Sequence, residues 1–152
     1  MSLHLFETMC CMVFLTGINP TLSENPTEQD ELNKLMIRLH NEARQKALSC
    51  QIPGQPQAER IPNLVFDQNL ANGAETWAAT CTVGHNKYDD RKTADFEYVG
   101  QNFAGASNFT TAFELWFAEN ADYNFSSNTC APGKACGHYT QVRTIDVHSH
   151  KC

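Results

Sequence analysis

The stretch Cys130-Ala131-Pro132-Gly133-Lys134-Ala135-Cys136-Gly137-His138-Tyr139-Thr140-Gln141-Val142 holds more structural information than any other part of the chain. Two cysteines bracket a Pro-Gly turn, and a histidine follows at the head of a loosely alternating run, so that His138 to Val147 reads as a strand. A short covalent loop between the cysteines would hold His138 at a fixed position. An imidazole placed in this way can serve a metal, a proton or a ligand, and such a loop presupposes an oxidising compartment.

The rest of the composition agrees with that compartment. At 152 residues the chain fits one domain, and charged residues are 18% of it, which suits a loop-rich secreted protein. The net charge of -6, with no extended Lys/Arg cluster, denies nucleic acid its electrostatic footprint. Seven cysteines, at 10, 11, 50, 81, 130, 136 and 152, contain no C-x-x-C pair and are best explained as disulfides. Two glycosylation sequons, Asn108-Phe109-Thr110 and Asn124-Phe125-Ser126, point the same way. The apolar run Met9 to Leu15 is far too short for a membrane span and matches a signal-peptide core, although Glu7 precedes it and no basic segment does. We therefore expect a signal peptide over residues 1–17, a linker over 18–26 and one domain over 27–152.

Within that domain, Thr27 with Asp30 resembles a capping box, and Leu32, Leu35, Met36, Leu39, Ala43 and Ala47 recur at helical spacing up to a stop before Cys50. Pro53, Gly54, Pro56 and Pro62 make residues 51–63 an extended loop. Asp67 caps a second expected helix with a stripe of Leu70, Ala71, Ala74, Trp77, Ala78 and Cys81. Residues 82–91 read as loop, and 98–103 as a short strand or turn. Phe113, Trp116 and Phe117 define a third helix from about Thr110 to Tyr123.

These segments carry a series of motifs: L-H-N-E-A-R from Leu39, A-E-T-W-A-A-T-C from Ala74, G-H-N-K from Gly84, V-G-Q-N from Val99, L-W-F-A-E from Leu115 and C-G-H-Y-T-Q-V from Cys136. In this order they resemble the CAP superfamily (cysteine-rich secretory, antigen 5 and pathogenesis-related class 1 proteins), and most of all the venom-allergen-like proteins of helminths. The resemblance runs from about Thr27 to Val142. It implies an α+β fold, a three-layer α-β-α sandwich, extracellular residence, and a cleft with two histidines and two acids. Carried over position by position, the histidines are His85 and His138 and one acid is Glu119. The second acid's place is taken by Gln101, next to a retained Asn102.

That exchange has chemical consequences. Two neutral imidazoles suit a divalent transition metal, so His85 and His138 are the expected ligands of a weakly held ion such as Zn, and no cofactor is required. An amide at 101 removes a general base, and no serine or cysteine nucleophile stands in a recognisable motif. The expectation is a non-catalytic secreted protein that binds a lipid, a sterol or an extracellular protein partner, host proteins included. The competing readings are a Zn-assisted hydrolase built on His85, His138 and Glu119, and a truncated fragment with no activity of its own. For Gln101 and Asn102 the plainer role is closing a turn through backbone hydrogen bonds, and for Trp116 it is core packing.

The same resemblance implies that Cys130 pairs with Cys136, while Cys81 and Cys152 would pair with cysteines in strands beyond the last motif. Residues 143–151 depart from the family's pattern and those strands do not follow, so the expectation is a domain lacking its last strands. Cys81 and Cys152 are then orphaned, with each other, Cys50 or another chain as alternative partners. His148, His150 and Cys152 alternate in a way that could recruit Zn, but a frayed, ligand-free tail is the reading adopted.

Overall fold

The computed structural model describes residues 28–143 in full, together with the backbones of Phe6–Met9 and Ser149–His150. Strand β1 (Phe6–Met9) lies inside the stretch expected to be a leader and runs parallel to β3 (Gln101–Ala104), with Phe6 opposite Gln101 and Met9 opposite Ala104. Between them come α1 (Glu28–Leu48), β2 (Gln57–Ala58) and α2 (Gln68–Ala79). After β3 come α3 (Phe109–Ala118), a 3-10 turn over Glu119–Asp122, the hairpin β4 (Tyr123–Asn124) and β5 (Thr129–Cys130), α4 (Gly137–Arg143) and β6 (Ser149–His150). The expected α+β class holds: α2 packs on β1, while α3 and α4 pack on β3. The expected cap at Thr27, the linker, Cys10, Cys11, His148 and Cys152 lie outside the described residues. No helix among the described residues is long and apolar enough to cross a membrane.

Local signals explain most boundaries. Acidic Glu28, Asp30 and Glu31 fill the first turn of α1, where the helix dipole favours negative charge. The Asp67 carboxylate accepts the Leu70 amide at 2.9 Å as α2's N-cap, as expected. Asn108 does the same for α3, accepting from Thr111 at 2.8 Å, so this helix begins one residue before the expected start and ends sooner, passing into the 3-10 turn at Glu119. The main core joins Met36 and Ala43 of α1, Ala104 of β3, Phe113 and Trp116 of α3 and Val142 of α4. A second cluster packs Ala47, Ile52, Ala58 and Ile61 around Tyr139.

One expected element is wrong. Residues after Gly137 form helix α4 through Arg143 instead of a strand. Its buried positions, Tyr139, Val142 and Arg143, stand at i, i+3 and i+4, a spacing that loose alternation conceals in so short a run. The Thr140 amide donates to the Cys136 carbonyl at 3.0 Å, closing the first turn. The tail also differs from expectation, because Ser149–His150 pairs antiparallel with β2, placing His150 opposite Gln57, instead of fraying.

Tyr139 is fully buried. Burial, partly offset by the neighbouring Arg143 guanidinium, pushes its phenol from 10.0 up to about 12. An acid whose folded pKa is raised stabilises the fold fully below the unfolded value and loses that contribution as pH rises through the folded one. Stability should therefore fall between pH 10 and about 12. In a spectrophotometric titration, the last tyrosine to ionise should vanish in Tyr139→Phe; an unchanged curve would show the phenol to be solvated.

Candidate functional site

Four elements converge on one end of β3. The Cys130–Cys136 disulfide is present, and it closes a turn in which the Lys134 amide donates to the Ala131 carbonyl at 3.0 Å, with Gly133 at φ +74°. Pro132 and Gly133 thus hold the central positions of a turn that needs positive φ at the second of them. The chain leaves this loop directly into α4, whose second residue is His138. Replacing both cysteines with alanine should cost about 2 kcal/mol, as loop-closure entropy predicts for so short a ring. A denaturation curve unchanged by the double variant would show that the 3-10 turn and hairpin hold the loop without the bond.

Glu119 is what orients His138. Its Oε1 accepts from the His138 Nδ1–H at 2.7 Å, while Oε2 accepts the backbone amides of His138 at 3.0 Å and Tyr139 at 3.1 Å. One carboxylate thereby satisfies two of the amides that α4 leaves unpaired at its start and also sets the ring's tautomer. Its side chain is 15% exposed. Trp116, 2% exposed, stacks on the same imidazole with centroids 6.1 Å apart and donates its Nε1–H to the Phe103 carbonyl at 3.0 Å. It therefore packs the core, as expected, and also supports His138.

His85 arrives from the loop after α2. Trp77 Nε1–H donates to the Gly84 carbonyl at 2.9 Å, and Gly84 takes φ +111°, a conformation that leaves glycine alone unstrained at the residue before the histidine. The ring then meets β3: His85 Nδ1 lies 2.7 Å from Gln101 Oε1, and Arg91 Nη1 donates to the same oxygen at 3.2 Å. A guanidinium can only donate, so the atom between them is the amide oxygen and the His85 Nδ1 carries the proton. Asn102, fully buried, donates Nδ2–H to the His138 carbonyl at 3.3 Å. Neither residue closes a turn; Gln101 ties β3 to the His85 loop and Asn102 ties it to α4. Gly100 makes room beside them, since a Cβ there would fall 2.1 Å from the Gln141 amide nitrogen.

All four expected cleft residues, His85, Gln101, Glu119 and His138, are thus brought together, with the two imidazole centroids 6.5 Å apart. Each ring has its Nδ1 engaged, which leaves Nε2 as the nitrogen with a lone pair for a ligand. Arg91 has no signal in the sequence: it ends a short 3-10 turn (Tyr88–Arg91) in the charged run Asp89-Asp90-Arg91-Lys92, which looks merely solvated, and only folding brings it to Gln101. Cys81 is a free, exposed thiol, and Cys50 is disulfide-bonded.

Among the described residues, no group of three His, Cys, Asp or Glu is placed to hold a metal ion. Two imidazoles, each oriented by a side chain at its Nδ1, nevertheless fit the donor chemistry of a divalent ion whose other ligands are water. With metal–nitrogen bonds of ~2.0–2.1 Å, a centroid separation of 6.5 Å is near the outer limit one ion can bridge.

Comparison with known proteins gives a consistent result. The family model described as CAP, cysteine-rich secretory protein family, matches residues 37–144. Human peptidase inhibitor 16 is 34% identical over 128 residues, which are 81% of this chain but 26% of that protein. Scoloptoxin SSD43 of Scolopendra dehaani is 30% identical over 146 residues, covering 92% of this chain and 69% of the toxin. The solved structure of venom allergen-like protein 4 from Schistosoma mansoni superposes with a TM-score of 0.69 at 31% identity, over 78% of this chain and 73% of that one.

Proposed function

The chain belongs to the CAP family of cysteine-rich secretory proteins, and from that membership we propose that it is a secreted, non-catalytic binding protein whose imidazole pair takes a divalent ion weakly. The observation that carries the non-catalytic reading is the state of Glu119. Both its oxygens are engaged, accepting three hydrogen bonds from the start of α4 and the His138 ring, so its place in the site is to orient an imidazole. Gln101, an amide, supplies no base on the other side. A divalent ion held by His85 and His138 would supply a positive charge to an oxygen of a bound partner.

An extracellular protein, a host protein included, is the favoured partner over an enclosed lipid or sterol. The space between α1 and α4, lined by Ala43, Ala47, Ile52, Phe117, Tyr139 and Val142 together with Arg44 and Arg143, holds at most about 170 Å³, and the larger hollow of about 660 Å³ beside α1 is open and walled by polar side chains such as Arg38, Asn41, Glu42 and Gln45. Ligand pockets for small molecules run ~300–1,000 Å³. Secretion is supported by the Cys130–Cys136 bond and by the exposure of both sequon residues, Asn108 and Asn124, which we assign as glycosylation sites. Product secreted from eukaryotic cells should lose mass on peptide N-glycosidase treatment, and Asn108→Gln with Asn124→Gln should abolish that loss.

The hydrolase alternative is tested directly. Purified protein incubated with peptide and ester substrates should show no turnover above background with or without Zn. Zn-dependent turnover lost in His138→Ala would overturn the non-catalytic reading.

A further inference from the structure

We propose that Arg91 sets the divalent-ion affinity of the His85/His138 pair and, with an amide at position 101, holds it low. The inference rests on the reading of that pair as a metal-competent centre.

The electrostatics follow from one shared atom. Gln101 Oε1 accepts from both His85 Nδ1 and Arg91 Nη1, so the guanidinium stands one hydrogen-bonded oxygen away from the ring that would carry the ion. Among the described residues no carboxylate lies within ion-pair distance of Arg91, and its Nε is buried with no hydrogen-bond partner. The neighbouring Asp89 is taken by Lys92 at 2.8 Å, and Glu119 is committed to His138. Tyr88 offers Arg91 only a ring face, with the guanidinium carbon 5.7 Å from its centroid.

A carboxylate at 101 would accept the same two hydrogen bonds and cancel the guanidinium charge; the amide accepts them without cancelling it. The full positive charge of Arg91 therefore acts on the far side of His85, where it opposes a divalent ion at Nε2. Across a half-exposed site this repulsion corresponds to about tenfold in affinity. Salt should reduce it, as for any pair of charges that solvent reaches.

The test is calorimetric titration of the 152-residue chain with ZnCl2, in a Cys81→Ser background so that the exposed thiol adds no ligand. Arg91→Gln removes the charge, and Gln101→Glu neutralises it while leaving Arg91 in place. Each should bind about tenfold more tightly than the parent at low ionic strength, with the gap narrowing as salt is added. His138→Ala should abolish the tightening in both. Equal affinities across parent, Arg91→Gln and Gln101→Glu, with binding still dependent on His138, would overturn the role of Arg91 alone. Absence of His138-dependent binding in every variant would overturn the metal-competent centre and this inference with it. Thermal melts of each variant confirm folding, and Gln101→Glu keeps the proposal testable should Arg91→Gln fail to fold.

Discussion

Replacing Glu119 with alanine is expected to destabilise the domain by about 5 kcal/mol, the lower end for three hydrogen bonds to a charged acceptor worth ~1.5–3 kcal/mol each and lost together. The three donors are the His138 and Tyr139 amides and the His138 Nδ1–H, all at the beginning of α4. Their loss takes the acceptor from two part-buried amides, one of them that of the fully buried Tyr139. Glu119→Gln keeps one acceptor oxygen and should fall between parent and alanine. Denaturant unfolding measures both, and a cost below ~1 kcal/mol for alanine would mean that the carboxylate is solvated and that α4 is capped by something else. The His138 resonances provide a second readout, since a ring released from Glu119 should lose its fixed tautomer.

Trp116→Ala should be comparably severe, about 3–5 kcal/mol, the usual cost of truncating a buried aromatic residue to alanine. Trp116 contacts three parts of the structure at once: it fills the cluster between α1, α3 and β3, donates to the Phe103 carbonyl in β3, and stacks on His138. Trp116→Phe separates these contributions. It retains an aromatic ring against His138 and removes the Nε1–H, so a loss of about 1 kcal/mol is expected, that of one neutral hydrogen bond. If phenylalanine is as damaging as alanine, the bond to β3 outweighs the packing. If alanine costs less than ~2 kcal/mol, the core around α3 must collapse to fill the space.

Glu119 and Trp116 also show what could be read before folding was considered. Trp116 lies on a helix face defined by Phe113 and Phe117, and a buried role follows from periodicity. Glu119 has no such local signature; a carboxylate at a helix end reads as solvent-facing, and only the family motif singled it out. The L-W-F-A-E and C-G-H-Y-T-Q-V motifs single out Glu119 and His138, and the structure brings the two into contact.

Helices α1, α2 and α3, the Pro-Gly turn and the caps at Asp67 and Asn108 depend on contacts within a few residues, so composition and spacing were sufficient for the first four and for Asp67. Asn108 carries two signals at once, and its place in a sequon masks its role as a cap. Helix α4 was misread because its seven residues are too few for a period to declare itself, and what makes it helical, the Glu119 carboxylate, comes from 19 residues away. The roles of Gln101, Asn102 and Arg91 likewise depend on contacts between segments 10 to 36 residues apart. Neighbouring residues can dictate a helix or a turn through backbone sterics and burial. A charge-sharing oxygen between an imidazole and a guanidinium exists only when separate loops meet, so the electrostatic character of this site belongs to the tertiary structure.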